Sequence, residues 1–438
     1  MTTRIFLHSP SEAPNALDIA VRMPEFECLG ERALLLARPG DVVCLARPVD
    51  ARHVAFLRSL GIGPRPEDIL VFDGIRPGTG LSARIATDGP SLDRLACRLR
   101  KTEALELVPF FATPATATLG RFLRSRLGRP VRVAGGPASL VRRLHEKSAG
   151  RALARSLGVP VAPGDVVRIP RGAGRADLAG LRRAVLHRSR PTGRAVLRGS
   201  SGASGSSTFV VEPDRLDEVL EAVVGRPGDR LWLVEPLYES LVSPNVEVVV
   251  ERGDPGGLRL GITDQLLDRD LAYLGSVHPS RARRQDRMLE DARTMAAWMR
   301  RKAFRGRVGF DFVEHEHHGR VRHFLAEINP RVNGASYPHA LTARLVRLAG
   351  RLGGPAPKAF LSRTVPVATR DYAELERHLG DRLYDPRRGE GIVPWSPSAL
   401  EAGKIGVACL AGTRSRATEL LDALSSLAGA NGVPAPVP

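Results

Sequence analysis

The sequence predicts an α/β fold built from several α+β lobes, on three observations. The first third alternates short apolar strands with an amphipathic helix. A run of glycine and serine lies between two strand-like segments near the middle. Two strand-like segments around residues 308–328 alternate acids with apolar residues. A length of 438 residues fits about two to four domains.

The elements follow in order. Asp41 to Ala46 reads as a buried strand. Ala51 to Leu60 reads as a helix with Val54, Leu57 and Leu60 on one face, ended by Gly61. Asp68 to Phe72 and Leu105 to Phe111 are further strands, which makes this first unit a small parallel α/β domain over residues 1–138. A helix is expected from about Ala138 to Leu157, broken at Gly158-Val159-Pro160. Residues 164–192 are rich in Arg, Gly and Asp and are expected to be exposed. Ala195 to Arg198 is a strand entering the run Gly199 to Ser207, and Thr208 to Val211 is its return. Leu231 to Glu235 and Asn245 to Glu251 add two strands, and a long helix covers about Arg281 to Lys302. Val308 to Glu314 and Val321 to Ile328 form a hairpin turning at His318-Gly319. Beyond residue 351 the pattern weakens. Helical pieces remain at Asp371 to Leu379 and Arg416 to Leu427, and the tail Val433 to Pro438 is expected to fray.

Composition narrows the class. Apolar residues make up 43% and charged residues 26%, which excludes a disordered or fibrous chain. No apolar run reaches the ~20 residues that span a bilayer, so no membrane partner is expected. Met1 to His8 carries one positive charge and few apolar residues, so no signal peptide is expected. Cys28, Cys44, Cys97 and Cys409 are scattered, which fits buried free thiols in a cytoplasmic chain. The net charge is +18, and only five basic residues are lysines. The arginines spread along the whole chain and aromatics are 5%, so no nucleic-acid partner is expected.

Two segments carry chemistry. The glycines of Gly199 to Ser207 let backbone N–H groups turn inward together, a concavity that suits phosphate oxygens. A plain surface hairpin is the competing reading. In the second segment, Asp311 is followed sixteen residues later by Glu327, then Asn329 and Arg331. On adjacent antiparallel strands Asp311 and Glu327 share a face, and Asn329 joins them by period two. Three oxygen donors on one face suit Mg²⁺. A half-buried sheet with a polar face is the alternative. Glu314-His315-Glu316-His317-His318 falls at the hairpin tip and reads as a solvated turn in preference to a zinc site. His8, His145 and His339 read as structural.

These segments together resemble the ATP-grasp superfamily. Gly309-Phe310-Asp311 with Glu327-Ile328-Asn329-Pro330-Arg331 resembles its metal motif, and His145-Glu146-Lys147 its lysine-containing helix. Val196 to Arg198 with the Gly/Ser run is similar to its phosphate loop. Leu233 to Leu237 is similar to its adenine hinge. The resemblance spans about residues 139–350, with 351–438 as a C-terminal α/β segment completing the ligase. Residues before 139 are similar to the pre-ATP-grasp domain of bacterial peptide ligases, including the pheganomycin type.

Carried over, the resemblance implies that Asp311, Glu327 and Asn329 ligate two Mg²⁺, with Mn²⁺ as a possible substitute. It implies that Lys147, Arg198 and the loop, with Gly202, Ser204, Gly205 and Ser206, contact ATP phosphates. Glu235 and Leu237 would meet adenine, and either Asn245 or Glu247 would reach ribose. Arg331, with Arg198, would serve catalysis at the reacting carboxyl. Arg198 stands where a lysine is usual, which keeps the charge but changes the donor geometry. The implied activity is an ADP-forming ligase joining amino-acid or peptide substrates through an acyl phosphate, with a homodimer as one possible assembly. A kinase on the same fold and a basic nucleic-acid binder are the alternatives.

Overall fold

Thr2–Leu7 forms a strand whose two faces are both apolar: Ile5 and Leu7 point one way and Phe6 the other, and all three are buried. Burial on both sides is what a central parallel strand requires. The computed structural model describes residues 2–14, 16–23, 25–170, 174–201, 207–224, 230–251 and 258–424. In it, this strand (β1) lies at the centre of a parallel sheet with β2 (Val42–Leu45), β3 (Ile69–Val71), β4 (Ala104–Pro109) and β5 (Val131–Val133), in the order β3-β2-β1-β4-β5. The helix Ala51–Ser59 between β2 and β3 starts where the Asp50 carboxylate accepts from the N–H groups of Arg52 and His53.

The helix expected over 138–157 is two helices, Ala138–His145 and Lys147–Ser156. Glu146 between them is extended, and the Lys147 N–H donates to Ser200 O at 2.9 Å. Residues 164–192 were expected to be exposed, but among the described ones Leu181, Ala184 and Val185 are buried. They supply β6 (Asp165–Arg168) and the helix Ala179–Ser189. With β7 (Ala195–Gly199), β8 (Thr208–Val211) and β9 (Leu231–Pro236) they build an antiparallel sheet in the order β6-β9-β7-β8. This lobe has its own core, including Leu181, Val185, Leu197, Trp232 and Val234.

The largest sheet is antiparallel. It contains β10 (Ser240–Val242), β11 (Pro244–Val250), β12 (Leu258–Leu267), β13 (Tyr273–His278), β14 (Gly306–His317), β15 (Arg320–Asn329), β16 (Ala359–Pro366), β17 (Gly391–Trp395) and β18 (Lys404–Ala411). Its order is β10-β14-β11-β12-β13-β16-β18-β17, with β15 paired to β14. The turn at His318-Gly319 is where expected, both residues having positive φ. The long helix is Gln285–Arg301. The α/β segment expected after residue 351 contains three strands at 359–411 whose positions had not been read. They belong to the same sheet as the acidic hairpin, and the helices Tyr372–Leu379 and Arg414–Asp422 pack beside them.

One core joins the first and last sheets. Phe6, Val43, Leu45 and Leu57 pack with Tyr337, Leu341 and Leu345 of the helix Ser336–Leu352, and with Phe360, Trp395 and Leu410. Cys28, Cys44 and Cys409 are buried free thiols, whereas Cys97 is exposed, on the outer side of its helix Gly89–Leu99. Among the described residues no helix is long and apolar enough to cross a membrane. The tail Val433 to Pro438 lies outside the described residues.

Candidate nucleotide and metal site

The site grows from the register of three strands. Asp311 on β14 stands opposite Glu327 on β15 and opposite Asn245 on β11. Two positions along, Gly309 stands opposite Asn329 and Glu247. One sheet face therefore presents Glu327, Asp311 and Asn245 in one row and Asn329, Gly309 and Glu247 in the next. Asp311 Oδ1 accepts from Asn245 Nδ2 at 2.5 Å, and Oδ2 accepts from Asn329 Nδ2 at 2.7 Å. Burial, and next the neighbouring Glu327 charge, push the Asp311 carboxyl up to about 7. Two carboxylates in register on one face disfavour each other's charge, which makes a nearby cation favourable.

Cationic side chains surround the pair. Lys147, at the first position of its helix, is 5% exposed and reaches Glu327 Oε2 at 3.8 Å. Arg331 holds its guanidinium 5.2 Å above the centre of the Phe110 ring, and its Nη1 donates to Val332 O at 3.1 Å. Burial lowers the Arg331 pKa, while the Glu327 and Asp311 charges oppose that shift. Burial, helped by Arg331 and Lys147, holds His145 well below its ordinary range, so it sits there neutral.

A bulge fixes the next residue. The β14–β15 register slips between Asp311 and Phe312, leaving Ala326 as an extra residue on β15. Its carbonyl accepts from Arg198 Nη1 at 3.1 Å. The other Nη of Arg198 pairs with Glu235 Oε2, and Arg151 pairs with Glu235 Oε1. All three side chains are buried.

An apolar cavity runs from this cluster between the four-stranded sheet and the large sheet. Val196, Pro236, Leu237, Leu267, Phe312 and Phe324 line it, and Lys147, Arg198, Asp311 and Glu327 form its charged end. Ser240, Ser243 and Gln265 also line it; sequence reading missed them because a lone hydroxyl or amide in a strand carries no signal.

The structure thus brings Lys147, Arg198, Asp311, Glu327 and Asn329 together, with Arg331 beside them. Glu235 and Leu237 line the cavity, but the Glu235 carboxylate is taken by two arginines and the Leu237 N–H donates to Arg194 O at 3.0 Å. Asn245 is bonded to Asp311, and Glu247 is paired with Arg307; neither lines the cavity. Gly202, Ser204, Gly205 and Ser206 lie outside the described residues. At the hairpin tip, His315 is buried against Tyr238, with ring centroids 4.4 Å apart, and is not the solvated residue expected.

Comparisons with known proteins agree with this architecture. The family model described as Pre ATP-grasp domain matches residues 30–124. The chain is similar to N5-carboxyaminoimidazole ribonucleotide synthetase from Thermus thermophilus, at 16% identity and a TM-score of 0.55 over 99% of this chain and 100% of that one. It is similar to an Aspergillus clavatus N5-carboxyaminoimidazole synthase in complex with ADP and 5-aminoimidazole ribonucleotide, at 15% identity and a TM-score of 0.55 over 97% and 99%. A Campylobacter jejuni biotin carboxylase complexed with a βγ-ATP ligand matches at 13% identity and a TM-score of 0.55 over 96% and 91%. No curated protein sequence matches the chain. The fold is therefore α/β, with an N-terminal region that matches the pre-ATP-grasp domain model and ATP-grasp-like lobes. Nothing in these likenesses supports the pheganomycin-type specificity.

Proposed function

We propose that this chain is an ATP-dependent carboxylate–amine ligase acting on amino-acid or peptide substrates and releasing ADP and phosphate. The observation that carries the reading is the half-buried Asp311–Glu327 pair at the charged end of an apolar cavity, with Lys147 3.8 Å from Glu327 Oε2. The cavity suits a purine, and its charged end suits a polyphosphate.

The residues fit a divalent cation. Asp311, Glu327 and Asn329 are hard oxygen donors on one face, and the Asp311 and Glu327 carboxylates stand opposite each other in register. Mg²⁺ held there would neutralise the charge that gathers on phosphate oxygens during transfer. The protein's own groups do the rest. Lys147 and Arg198 meet the phosphates from the four-stranded side. Arg331 faces the carboxylate that receives the γ-phosphoryl group, because its fork matches two oxygens at once. The resulting acyl phosphate has a leaving group that the free acid lacks. An amine attacks the carbonyl carbon, and phosphate departs. Closure of the four-stranded lobe over the cavity keeps water from that intermediate.

The test is an ADP-release screen of amino acids, singly and in pairs, with mass analysis of the condensed product. ADP and phosphate that need both an acid and an amine support the ligase. ADP release with a phosphorylated acceptor and no amine requirement makes the enzyme a kinase, and AMP with pyrophosphate makes it an adenylating enzyme.

A further inference from the structure

Glu247 stands on the same sheet face as the metal carboxylates, yet outside the nucleotide cavity. It is 3% exposed. Its Oε1 pairs with Arg307, and its Oε2 is buried with no partner among the described residues. Around Gly309, which stands opposite it, lie two more residues with buried polar atoms that have no partner among the described residues, Asn333 Nδ2 and Asn245 Oδ1; His8 Nε2 is a third such atom.

The placement of these atoms is set by structure. Asn333 Oδ1 accepts from the N–H groups of Ala335 at 2.9 Å and Ser336 at 3.2 Å. That turns Nδ2 over Gly309, in the row between Asn329 and Glu247. A Cβ on Gly309 would lie 1.9 Å from Asn333 Nδ2, so glycine is what lets the amide sit there. His8, at the C-terminal end of β1, shares a 3.1 Å hydrogen bond with the Tyr337 hydroxyl. Arg32 holds its guanidinium 4.5 Å from the centre of the Tyr337 ring, and Arg307 is paired with Glu247. Arg32 spans the Tyr337 and Trp395 rings and has no carboxylate within ion-pair distance among the described residues.

Buried polar groups left without partners are costly unless a ligand completes them. Here the set is one carboxylate oxygen and one amide oxygen as acceptors, set against guanidinium and amide donors. We infer that these buried groups bind the ammonium group of an amino-acid substrate on Glu247 Oε2, with the substrate's anionic end toward Arg331 and Arg32. Diagonal neighbours on adjacent strands lie about 7–8 Å apart, so a small molecule on Glu247 reaches the Asp311 side of the site. This inference rests on the ligase reading, and the ammonium belongs either to the acid being activated or to the acceptor amine.

Calorimetry on the full chain with Mg–ADP decides it. The twenty standard amino acids are titrated, followed by the N-acetyl form of each one that binds. At least one free amino acid should bind, and N-acetylation should weaken it about tenfold or more. E247Q should weaken the free amino acid by about the same factor and leave ADP affinity unchanged, and E247D should recover part of the loss. The wild-type comparison stands even if E247Q folds poorly. Failure of every amino acid to bind, equal binding of the N-acetyl form, or loss of ADP affinity in E247Q overturns the inference. Hydroxylamine trapping then separates the sources. Reduced hydroxamate formation in E247Q assigns the ammonium to the activated acid; intact hydroxamate formation with lost amide product assigns it to the acceptor. Absence of hydroxamate from any acid in wild type defeats the ligase reading, while the calorimetry still decides the ammonium site.

Discussion

Asp311 and Glu327 face each other in register across β14 and β15, and the slip in that register comes one residue later. The pair therefore keeps ideal cross-strand geometry while the bulge at Ala326 releases a carbonyl for Arg198. Glu327→Gln keeps the shape and removes one of the two charges. ATP turnover and its Mg²⁺ dependence should fall by orders of magnitude. The melting temperature should hold or rise, because the like-charge neighbour of Asp311 is gone. Near-normal turnover would remove the metal assignment.

Arg331→Lys keeps a positive charge over Phe110 and loses the planar fork. Nucleotide affinity should be retained. Single-turnover ligation should drop at least ~10²-fold, the size of losing one preorganised transition-state donor. Equal rates would make Arg331 a brace for the turn at Val332 to Gly334.

Glu235 is the counterion of two buried arginines, Arg151 and Arg198. Glu235→Gln leaves both guanidiniums buried against a neutral amide. Breaking buried pairs this way costs about 3–5 kcal/mol, readable by chemical denaturation. A loss confined to nucleotide affinity with unchanged stability would instead make Glu235 an adenine contact.

Glu12 tests the N-terminal sheet apart from the site. Its Oε1 accepts from the Ser82 N–H at 2.7 Å, and its Oε2 is buried without a partner among the described residues. Burial pushes its carboxyl up to about 8 from an ordinary 4.5. Below about 4.5 both folded and unfolded chains hold the proton, and above it only the folded chain does. The stability contributed is therefore lost as pH rises from about 4.5 to 8. Glu12→Gln should flatten that slope in urea titrations and stabilise the protein at pH 8. An unchanged slope would mean the carboxyl is ionised in the folded state.

The acidic hairpin was legible because alternation and a two-residue turn leave strong local marks. The Ala326 bulge was not, since one extra residue in a strand does not alter its composition. Strands β16 and β18 are buried on both faces, so Ala359 to Pro366 and Lys404 to Ala411 show no alternation to read. The break at Glu146 was hidden because helix-forming residues flank it. Ribose contacts were sought at Asn245 and Glu247 by their position after the hinge, but strand register places Asn245 opposite Asp311 and Glu247 opposite Gly309. Arg32, Tyr337 and His8 come together only through the core shared by the first and last sheets, a relation no local pattern encodes.

That shared core also constrains how the molecule is made. Phe6 and Val43 leave the ribosome early, but their partners Trp395 and Leu410 are synthesised late. The N-terminal sheet must wait, with one face uncovered, until those strands have emerged. Contacts of such sequence separation slow folding and leave apolar surface exposed meanwhile. The four-stranded lobe, whose core is its own, has no such wait and can fold while its surroundings are still being translated.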